Sequence, residues 1–324
     1  MTPTLDTVLL LALPASGKSE VRRYLKSLDP AVCAADFHLG PTVQLDDFPY
    51  VHMMRRTDDE LRAVGLPPAF FIANDKQFLD TRDWGTLIQL VNEDHVDLRS
   101  RRVAKPASAA EHLLGRIDAA RRKVGAPAVL PTIPAAAKGR VCDGLEKEAR
   151  ELLDEKHASY PDTLAGKTLV IEFARGGPHG SSMPLPDPLG YAYSLRQLSP
   201  DLLERATILY VWVTPEESRR KNSARANPND PGSILHHGVP LDVMMNDYGC
   251  DDMAHLLEIS GKPGKVRVEA HGRTYFLPAA RFDNRVDKTS FVRDDPKVWK
   301  KPDVQALHAG LKGALQDLYR LAQR

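Results

Sequence analysis

The chain has 324 residues, a length that fits one large domain with an insertion or two modest domains. Hydrophobic residues make up 42% and charged residues 27%, a composition typical of a globular protein with a core of useful size. The formal net charge of +1 gives no electrostatic reason to expect nucleic acid or a membrane surface as a partner.

The cysteines and the N-terminus do not indicate secretion. Cys33, Cys142 and Cys250 form no C-x-x-C pair, and an odd number makes no disulfide framework. The apolar run over residues 8–13 is too short for a signal peptide. No stretch reaches the roughly 18 apolar residues that a membrane span needs. We therefore expect a cytoplasmic protein.

The first hundred residues combine strand and helix patterns. Residues 8–13 form a continuous apolar run, which is typical of a strand buried on both faces. A helix follows residue 17 and ends at Asp29-Pro30, because proline interrupts the helical pattern. Residues 42–45 indicate a second strand, and residues 57–95 are mostly helical. We assign residues 1–100 to the first part of an α/β core.

Residues 101–165 have a different composition, in which Ala, Arg, Lys and Glu dominate. Helical periodicity is present over residues 109–124 and 145–157, and a segment rich in proline and alanine, 126–134, separates the two. We interpret residues 101–165 as a helical insertion or cap on the core.

The α/β pattern resumes over residues 166–324. Residues 167–173 and 206–213 are apolar strands, 195–205 are helical, and a capping box at Thr214-Pro-Glu-Glu217 predicts a further helix. A hairpin through His271-Gly272 and a final helix over 304–321 complete the chain. Strands that alternate with helices predict an α/β fold with a mostly parallel sheet covered on both faces.

The segment Ala-Leu-Pro-Ala-Ser-Gly-Lys-Ser at residues 12–19 matches the P-loop pattern G-x-x-x-x-G-K-[S/T] except that Ala12 replaces the first glycine. Its position between a buried strand and a helix predicts that backbone N–H groups and the helix N-terminus bind phosphate. The residues expected to contact ATP are Pro14, Ala15, Ser16, Gly17, Lys18 and Ser19. Lys18 would bridge the β- and γ-phosphates, and the Ser19 hydroxyl would bind Mg²⁺. An ordinary turn with an exposed lysine is the alternative.

Carboxylates follow two of the predicted strands. Asp46-Asp47-Phe48 follows the second strand, and Glu172 lies at the end of the strand over 167–173. With the phosphate loop, this pattern resembles the small-molecule P-loop kinases, especially the uridine kinase and nicotinamide riboside kinase group. The resemblance implies a three-layer P-loop NTPase fold, with Asp46 as the base toward an acceptor hydroxyl and Asp47 and Phe48 in the acceptor pocket. Glu172 stands where a Walker B carboxylate would hold Mg²⁺. A solvated acidic turn and a strand-end carboxylate with no metal remain the alternatives.

The helix that begins at Pro215 carries Arg219 and Arg220. It resembles the lid of nucleoside and nucleotide kinases, which implies that Arg219 contacts the nucleotide and that Arg220 stabilises the transferring phosphoryl group. A solvated basic face is the alternative. Residues 227–232 would form the lid hinge. Asn284, in the last loop, would lie against adenine as in adenylate-kinase-like folds, or belong to an ordinary polar turn.

Together these patterns predict an ATP- and Mg²⁺-dependent phosphotransferase that acts on a small-molecule hydroxyl or phosphate, with Lys18, Asp46 and Arg220 as catalytic residues. No guanine-specific Asn/Thr-Lys-x-Asp motif is present, which favours ATP over GTP. The alternatives are a nucleotide-dependent ATPase switch or assembly protein, and a loop that binds only phosphate or sulfate. His236-His237 is accompanied by no H-E-x-x-H motif and no set of cysteines that would indicate a zinc site. The sequence identifies neither the acceptor nor the oligomeric state.

Overall fold

The computed structural model describes residues 3–225 and 238–323, except for the side chain of Arg225. Within these ranges, a sheet of six strands has the order β2-β3-β1-β4-β6-β5. The strands are β1 (Thr7–Leu11), β2 (Thr42–Asp46), β3 (Thr168–Phe173), β4 (Ala206–Trp212), β5 (Lys265–Ala270) and β6 (Arg273–Asp283). All neighbouring pairs are parallel except β5 and β6. The carboxyl ends of β1 to β4 therefore meet at one edge of the sheet.

Helices occupy most of the connections. The first six are α1 (Lys18–Lys26), α2 (Pro30–Phe37), α3 (Phe48–Ala63), α4 (Asp83–Ser100), α5 (Ala109–Lys123) and α6 (Ala135–Ala158). The others are α7 (Gly190–Arg196), α8 (Pro200–Arg205), α9 (Pro215–Arg225), α10 (Leu241–Asn246), α11 (Met253–Ile259) and α12 (Lys301–Ala322). Among the helices that the structure describes, none combines the length and the apolarity needed to cross a membrane.

Helices cover both faces of the sheet. Val8 and Leu10 pack with α1, α2 and α12, whereas Leu9 and Leu11 pack with α4, α7, α8 and α11. This alternation follows from the strand geometry, in which successive side chains point to opposite faces. All five residues of β1 are buried, as expected of a central parallel strand. The predicted α/β fold, with a mostly parallel sheet between two helical layers, is confirmed.

Between β2 and β3, helices α3 to α6 form a second hydrophobic core that extends in sequence from Tyr50 to Leu153. Helix α4 packs on α5, α5 on α6, and α6 on α3. This helical unit includes α3 and α4, which composition assigned to the first part of the α/β core. Helix α4 belongs to both cores, because Ile88, Val91 and Leu98 pack on the sheet whereas Trp84, Leu87 and Leu90 pack in the helical unit.

Two predicted segments differ in detail. The helix predicted over residues 195–205 is two helices, because the Ser199 side chain accepts a hydrogen bond from the backbone N–H of Leu202 (3.4 Å) and Pro200 starts a new helix. The first helix ends at Lys26, shortly before Asp29 and Pro30, and these two residues begin α2, where the Asp29 carboxylate caps the backbone N–H of Ala31 (2.7 Å).

Two further predictions, the helix cap at Thr214 and the hairpin turn at His271-Gly272, are confirmed. The Thr214 hydroxyl accepts a hydrogen bond from the backbone N–H of Glu217 (3.2 Å) and caps α9. His271 and Gly272 join β5 and β6 with φ angles of 52° and 71°, which suit a two-residue hairpin turn.

The loop between α3 and α4 is fixed by one buried carboxylate. Asp58 is fully buried and accepts hydrogen bonds from the backbone N–H groups of Ala69 (2.7 Å), Phe70 (3.1 Å) and Phe71 (2.8 Å). Buried N–H groups that lose their acceptor retain their desolvation penalty. Asp58 therefore holds the aromatic residues of this loop in place.

We expect Asp58→Ala to lower the free energy of unfolding by about 3 kcal/mol, because several buried donors lose their acceptor together. Urea unfolding measures this change. Asp59→Ala is the matched control, since the partly exposed Asp59 side chain pairs with arginines one turn away and accepts one exposed hydrogen bond from Asn74, and it should cost less than about 1 kcal/mol. Equal losses in the two variants would contradict this role of Asp58.

Candidate functional site

The loop between β1 and α1 has the backbone geometry of an anion site. Ala15 and Gly17 adopt left-handed conformations, with φ angles of 55° and 104°. Such turns direct consecutive N–H groups toward one point and form an anion-binding concavity. The N–H groups of Gly17 and Ser19 donate no hydrogen bond to any part of the chain that the structure describes. Helix α1 begins at Lys18 and adds its positive N-terminal end.

Ala12 stands where the P-loop pattern has its first glycine, and its backbone explains why alanine fits. Its φ is not positive, unlike those of Ala15 and Gly17, so no conformation reserved for glycine is needed there. Its side chain is fully buried in the core beneath the sheet edge. The Lys18 Nζ donates hydrogen bonds to the carbonyl oxygens of Ala12 (3.1 Å) and Leu13 (3.4 Å), so Lys18 lies back across the loop.

Two distant segments hold the loop from behind. The Asn284 side chain donates to the carbonyl oxygen of Ser16 (2.7 Å), and the Ser218 hydroxyl donates to that of Pro14 (2.6 Å). Asn284 also donates to the hydroxyl of Thr289 (2.9 Å). These contacts bind loop carbonyls on the outer side and leave the N–H groups facing inward. A Cβ at Gly17 would lie 2.4 Å from the Thr289 hydroxyl and 2.8 Å from the Asn284 amide.

A cavity of about 190 Å³ lies above the loop. One wall is the loop itself, residues 14–20. A second wall comes from the carboxyl ends of β2 and β3 and includes Asp46, Asp47 and Glu172. The third wall is aromatic and includes Phe71, Phe78, Trp84 and Tyr248. The cavity therefore joins the α/β core to the helical unit.

The carboxylates of Asp46 and Glu172 are neighbours because β2 and β3 are parallel and pair these two residues directly. Arg22 lies between them, with its guanidinium 2.5 Å from a Glu172 oxygen and 3.4 Å from an Asp46 oxygen. Burial raises the pKa of Asp46 to about 7, with the nearby charges of Glu172 and Asp47 adding to the effect; Arg22 and the backbone N–H of Phe48 oppose it. A carboxyl group with such a pKa can exchange protons near neutral pH.

Asp47 has a different environment. Its carboxylate pairs with the Arg175 guanidinium at 2.7 Å, and both side chains are buried. The guanidinium lies near the rings of Trp84 (4.9 Å) and Phe173 (5.1 Å) and also donates to the Ser194 hydroxyl. Burial raises the pKa of Asp47, while Arg175 opposes the shift. The pair joins the segments that follow β2 and β3, and Arg175 also donates to the carbonyl oxygen of Trp84 in α4 (3.2 Å). Asp47 and Arg175 both line the cavity.

The oxygen donors at the sheet edge suit magnesium. Ser19 and Glu172 both line the cavity, beside Asp46. Mg²⁺ prefers hard oxygen ligands, and it usually takes one or two from the protein and the rest from phosphate and water. Glu172 and Ser19 fit this pattern, and a cation there would offset the repulsion between the Asp46 and Glu172 carboxylates. Across residues 3–225 and 238–323, no three His, Cys, Asp or Glu side chains are grouped as a metal site.

Three of the predicted nucleotide contacts lie outside the cavity lining. Arg220 is more than half exposed and pairs with Glu217 (2.6 Å) and Asp287 (3.2 Å). Arg219 pairs with Glu216 at 3.0 Å. Asn284 is fully buried behind the phosphate loop, where it supports Ser16. The predicted hinge at 227–232 and His236-His237 fall outside the described residues.

The structure brings Lys18, Ser19, Asp46 and Glu172 together, and it adds groups that sequence reasoning missed. Arg22 lies one helical turn after Lys18, and this spacing could have placed it on the same face of α1. The aromatic wall has no such signal, because its residues come from separate segments of the chain. The same is true of Asp247, which lines the cavity next to Tyr248.

Comparison with known proteins supplies no assignment: no protein-family model, curated protein or solved structure matches the chain. The chemistry is therefore argued from the residues themselves. An anion cradle, a carboxyl group with a pKa of about 7 and oxygen donors for a hard cation open on one cavity. This combination can bind a polyphosphate and accept a proton beside it.

We expect Gly17→Ala to weaken the binding of inorganic triphosphate by at least about tenfold, because the added Cβ forces Thr289 and Asn284 to move and the backbone leaves its left-handed conformation. Calorimetry with triphosphate measures the affinity. Ala15→Gly is the matched control and should retain binding, since glycine adopts the left-handed conformation freely. Equal affinities for wild type and Gly17→Ala would rule out this loop as the anion site.

Proposed function

We propose that the protein is an ATP- and Mg²⁺-dependent phosphotransferase with a P-loop NTPase fold, which phosphorylates a small molecule held in the cavity. The observation that carries the proposal is that the anion cradle at Lys18 and Ser19 and the carboxyl group of Asp46 open on the same cavity. The remaining volume, beside the aromatic wall, is the space for an acceptor. A hydroxyl acceptor suits Asp46 best, because its proton needs a base.

The chemistry follows from positioning and charge. The triphosphate of ATP would occupy the loop, and the Lys18 ammonium would exchange the carbonyl oxygens of Ala12 and Leu13 for phosphate oxygens. Magnesium, when bound by Ser19 and Glu172, would neutralise phosphate charge. The acceptor oxygen attacks the γ-phosphorus, its proton passes to Asp46, and the bond from the γ-phosphorus to the bridging oxygen breaks. The products are ADP and a phosphorylated acceptor.

Arg220 would take part only after a rearrangement. Its guanidinium is held by Glu217 and Asp287 and does not line the cavity. It would have to leave both carboxylates to stabilise the transferring phosphoryl group. We therefore assign the main catalytic roles to Lys18 and Asp46 and keep Arg219 and Arg220 as candidate lid contacts.

The alternative proposal is a nucleotide-dependent ATPase switch, with the helical unit as a partner-binding element. Such a protein needs the loop and the metal ligands, but it does not need an acceptor space beside a base. The cavity shared by Asp46 and the aromatic wall supports the phosphotransferase. Hydrolysis of ATP that no added acceptor accelerates would support the switch.

We expect Asp46→Asn to reduce acceptor-dependent turnover by about 100-fold or more, because the amide cannot accept the hydroxyl proton. Affinity for ATP should be retained in this variant and lost in Lys18→Ala, which removes the phosphate contact. A coupled assay of ADP release with small hydroxyl compounds measures turnover, and calorimetry measures affinity. Asp162→Asn, at a fully exposed side chain, is the control. The assignment fails if no acceptor raises ADP release above background hydrolysis.

The pH dependence tests Asp46 separately. Since its pKa is raised to about 7, the ionised form that acts as base is lost as pH falls through that value. We expect kcat/KM for the acceptor to fall about tenfold for each pH unit below about 7. The residual rate of Asp46→Asn should not show this fall, because the amide does not ionise. A wild-type profile that is flat between about pH 5 and about pH 8 would argue against Asp46 as the base.

A further inference from the structure

The aromatic wall of the cavity is continuous. The ring centroids of Phe71 and Phe78 are 4.4 Å apart, those of Phe78 and Trp84 are 4.9 Å apart, and those of Trp84 and Tyr248 are 5.7 Å apart. The first three residues belong to the helical unit, and Tyr248 follows α10. The faces and edges of such rings bind apolar groups and positively charged nitrogen atoms.

A buried carboxylate stands beside this wall. Asp247 lines the cavity and is only 5% exposed, yet its carboxylate makes no hydrogen bond and no ion pair within 3–225 or 238–323. Burial raises the pKa of Asp247 to about 7, and Asp242 adds to this shift while Arg55 opposes it. Buried polar groups are normally paired, because an unpaired one costs free energy. The presence of an unpaired buried carboxylate at position 247 is therefore not explained by a contribution to folding stability.

Among the described residues, Arg55 is the cation whose charge acts on Asp247, and its guanidinium contacts other groups. It lies over the Phe71 ring at 3.8 Å and donates to the carbonyl oxygens of Asn74 (2.6 Å) and Lys76 (3.2 Å). Asp242 is likewise occupied, because its carboxylate pairs with Lys76 (3.2 Å). Within 3–225 and 238–323, Asp247 thus lines the cavity with no ion pair from either of these charged neighbours.

We propose that Asp247 is the residue that selects the acceptor, and that it binds a protonated amine of a small amino alcohol whose hydroxyl points to Asp46. This inference rests on the proposed phosphotransferase, and it names the class of its acceptor. The ammonium group would pair with the carboxylate and lie against the aromatic wall, with the carbon body filling the space between Asp247 and Asp46. A site built around a charged partner strongly disfavours the analogue that lacks the charge, because its own group then stays unpaired.

Binding without ATP tests this recognition directly. The panel consists of amino alcohols, each matched with the carbon analogue in which a methyl replaces the amine; phenylalaninol and 2-methyl-3-phenylpropan-1-ol are one such pair. Calorimetry should show at least one amine that binds about tenfold or more tighter than its analogue. Asp247→Asn should abolish that preference, and the exposed-site control Asp162→Asn should keep it. Failure of every amine to bind, or a preference that survives in Asp247→Asn, overturns the proposal.

A second measurement needs no ligand. The folded-state pKa of Asp247 lies above its ordinary value, so the stability cost of its ionised carboxylate grows from about pH 4 to about pH 7 and then levels off. Asp247→Asn should therefore raise the Tm by several degrees at about pH 8, with a smaller gain at about pH 5. A structural role for the carboxylate predicts a lower Tm instead, and that result would overturn the inference.

The proposed phosphotransferase activity and the proposed role of Asp247 are refuted by different results. Amine preference and thermal stability do not depend on phosphoryl transfer, so both can be present in a protein that lacks turnover. Acceptor-dependent ADP release by compounds without an amine, undiminished in Asp247→Asn, would refute the role of Asp247 and leave the phosphotransferase intact.

Discussion

The left-handed turn at Ala15 and Gly17 is the constraint on which the site depends. It is held from outside by Asn284 and Ser218, which bind the carbonyl oxygens of Ser16 and Pro14. With those carbonyls engaged, the N–H groups can face an anion without rearrangement. Preorganised donors of this kind cost no reorganisation when charge develops near them. The segments after β4 and β6 thus support the loop through Ser218 and Asn284, although neither of these two residues lines the cavity.

Desolvation determines the chemistry of the cavity. Asp46 and Asp247 both have pKa values raised to about 7, and burial is the main cause in each case. Their neighbours differ: Asp46 lies beside Glu172 and Arg22, whereas Asp247 is influenced by the charges of Arg55 and Asp242 and lines the cavity together with the aromatic wall. The first environment suits proton transfer next to a phosphate, and the second suits a positively charged ligand. One cavity can therefore give two carboxylates different roles.

The sequence predicted those parts of the site that depend on local patterns. The loop between a strand and a helix predicted the positions of Gly17, Lys18 and Ser19. The ends of two strands that lie in a parallel sheet predicted the positions of Asp46 and Glu172. The sequence could not predict that Asn284 supports the phosphate loop, because this role depends on a contact with Ser16, which is far away in the chain. The same holds for the aromatic wall and for the extent of the helical unit, which depend on packing between separate segments.

The predicted roles of Arg219 and Arg220 show a second reason why sequence patterns do not fully predict the site. Arg219 and Arg220 each have a glutamate three residues earlier, a spacing that places ion pairs on one helix face. This spacing predicts that the two arginines pair with glutamates of their own helix, as the structure shows. The resemblance to a kinase lid predicted instead that they contact the nucleotide.

The central claim is that a phosphoryl group moves from ATP to a hydroxyl in this cavity. Incubation with ATP labelled at the γ-phosphate, Mg²⁺ and the panel of small hydroxyl compounds tests it most directly, with the label followed into the acceptor by mass spectrometry. The account predicts a phosphorylated acceptor with the wild-type protein and at least about 100-fold less of it in the same time with Asp46→Asn. Label found only in inorganic phosphate, for every compound, would contradict it.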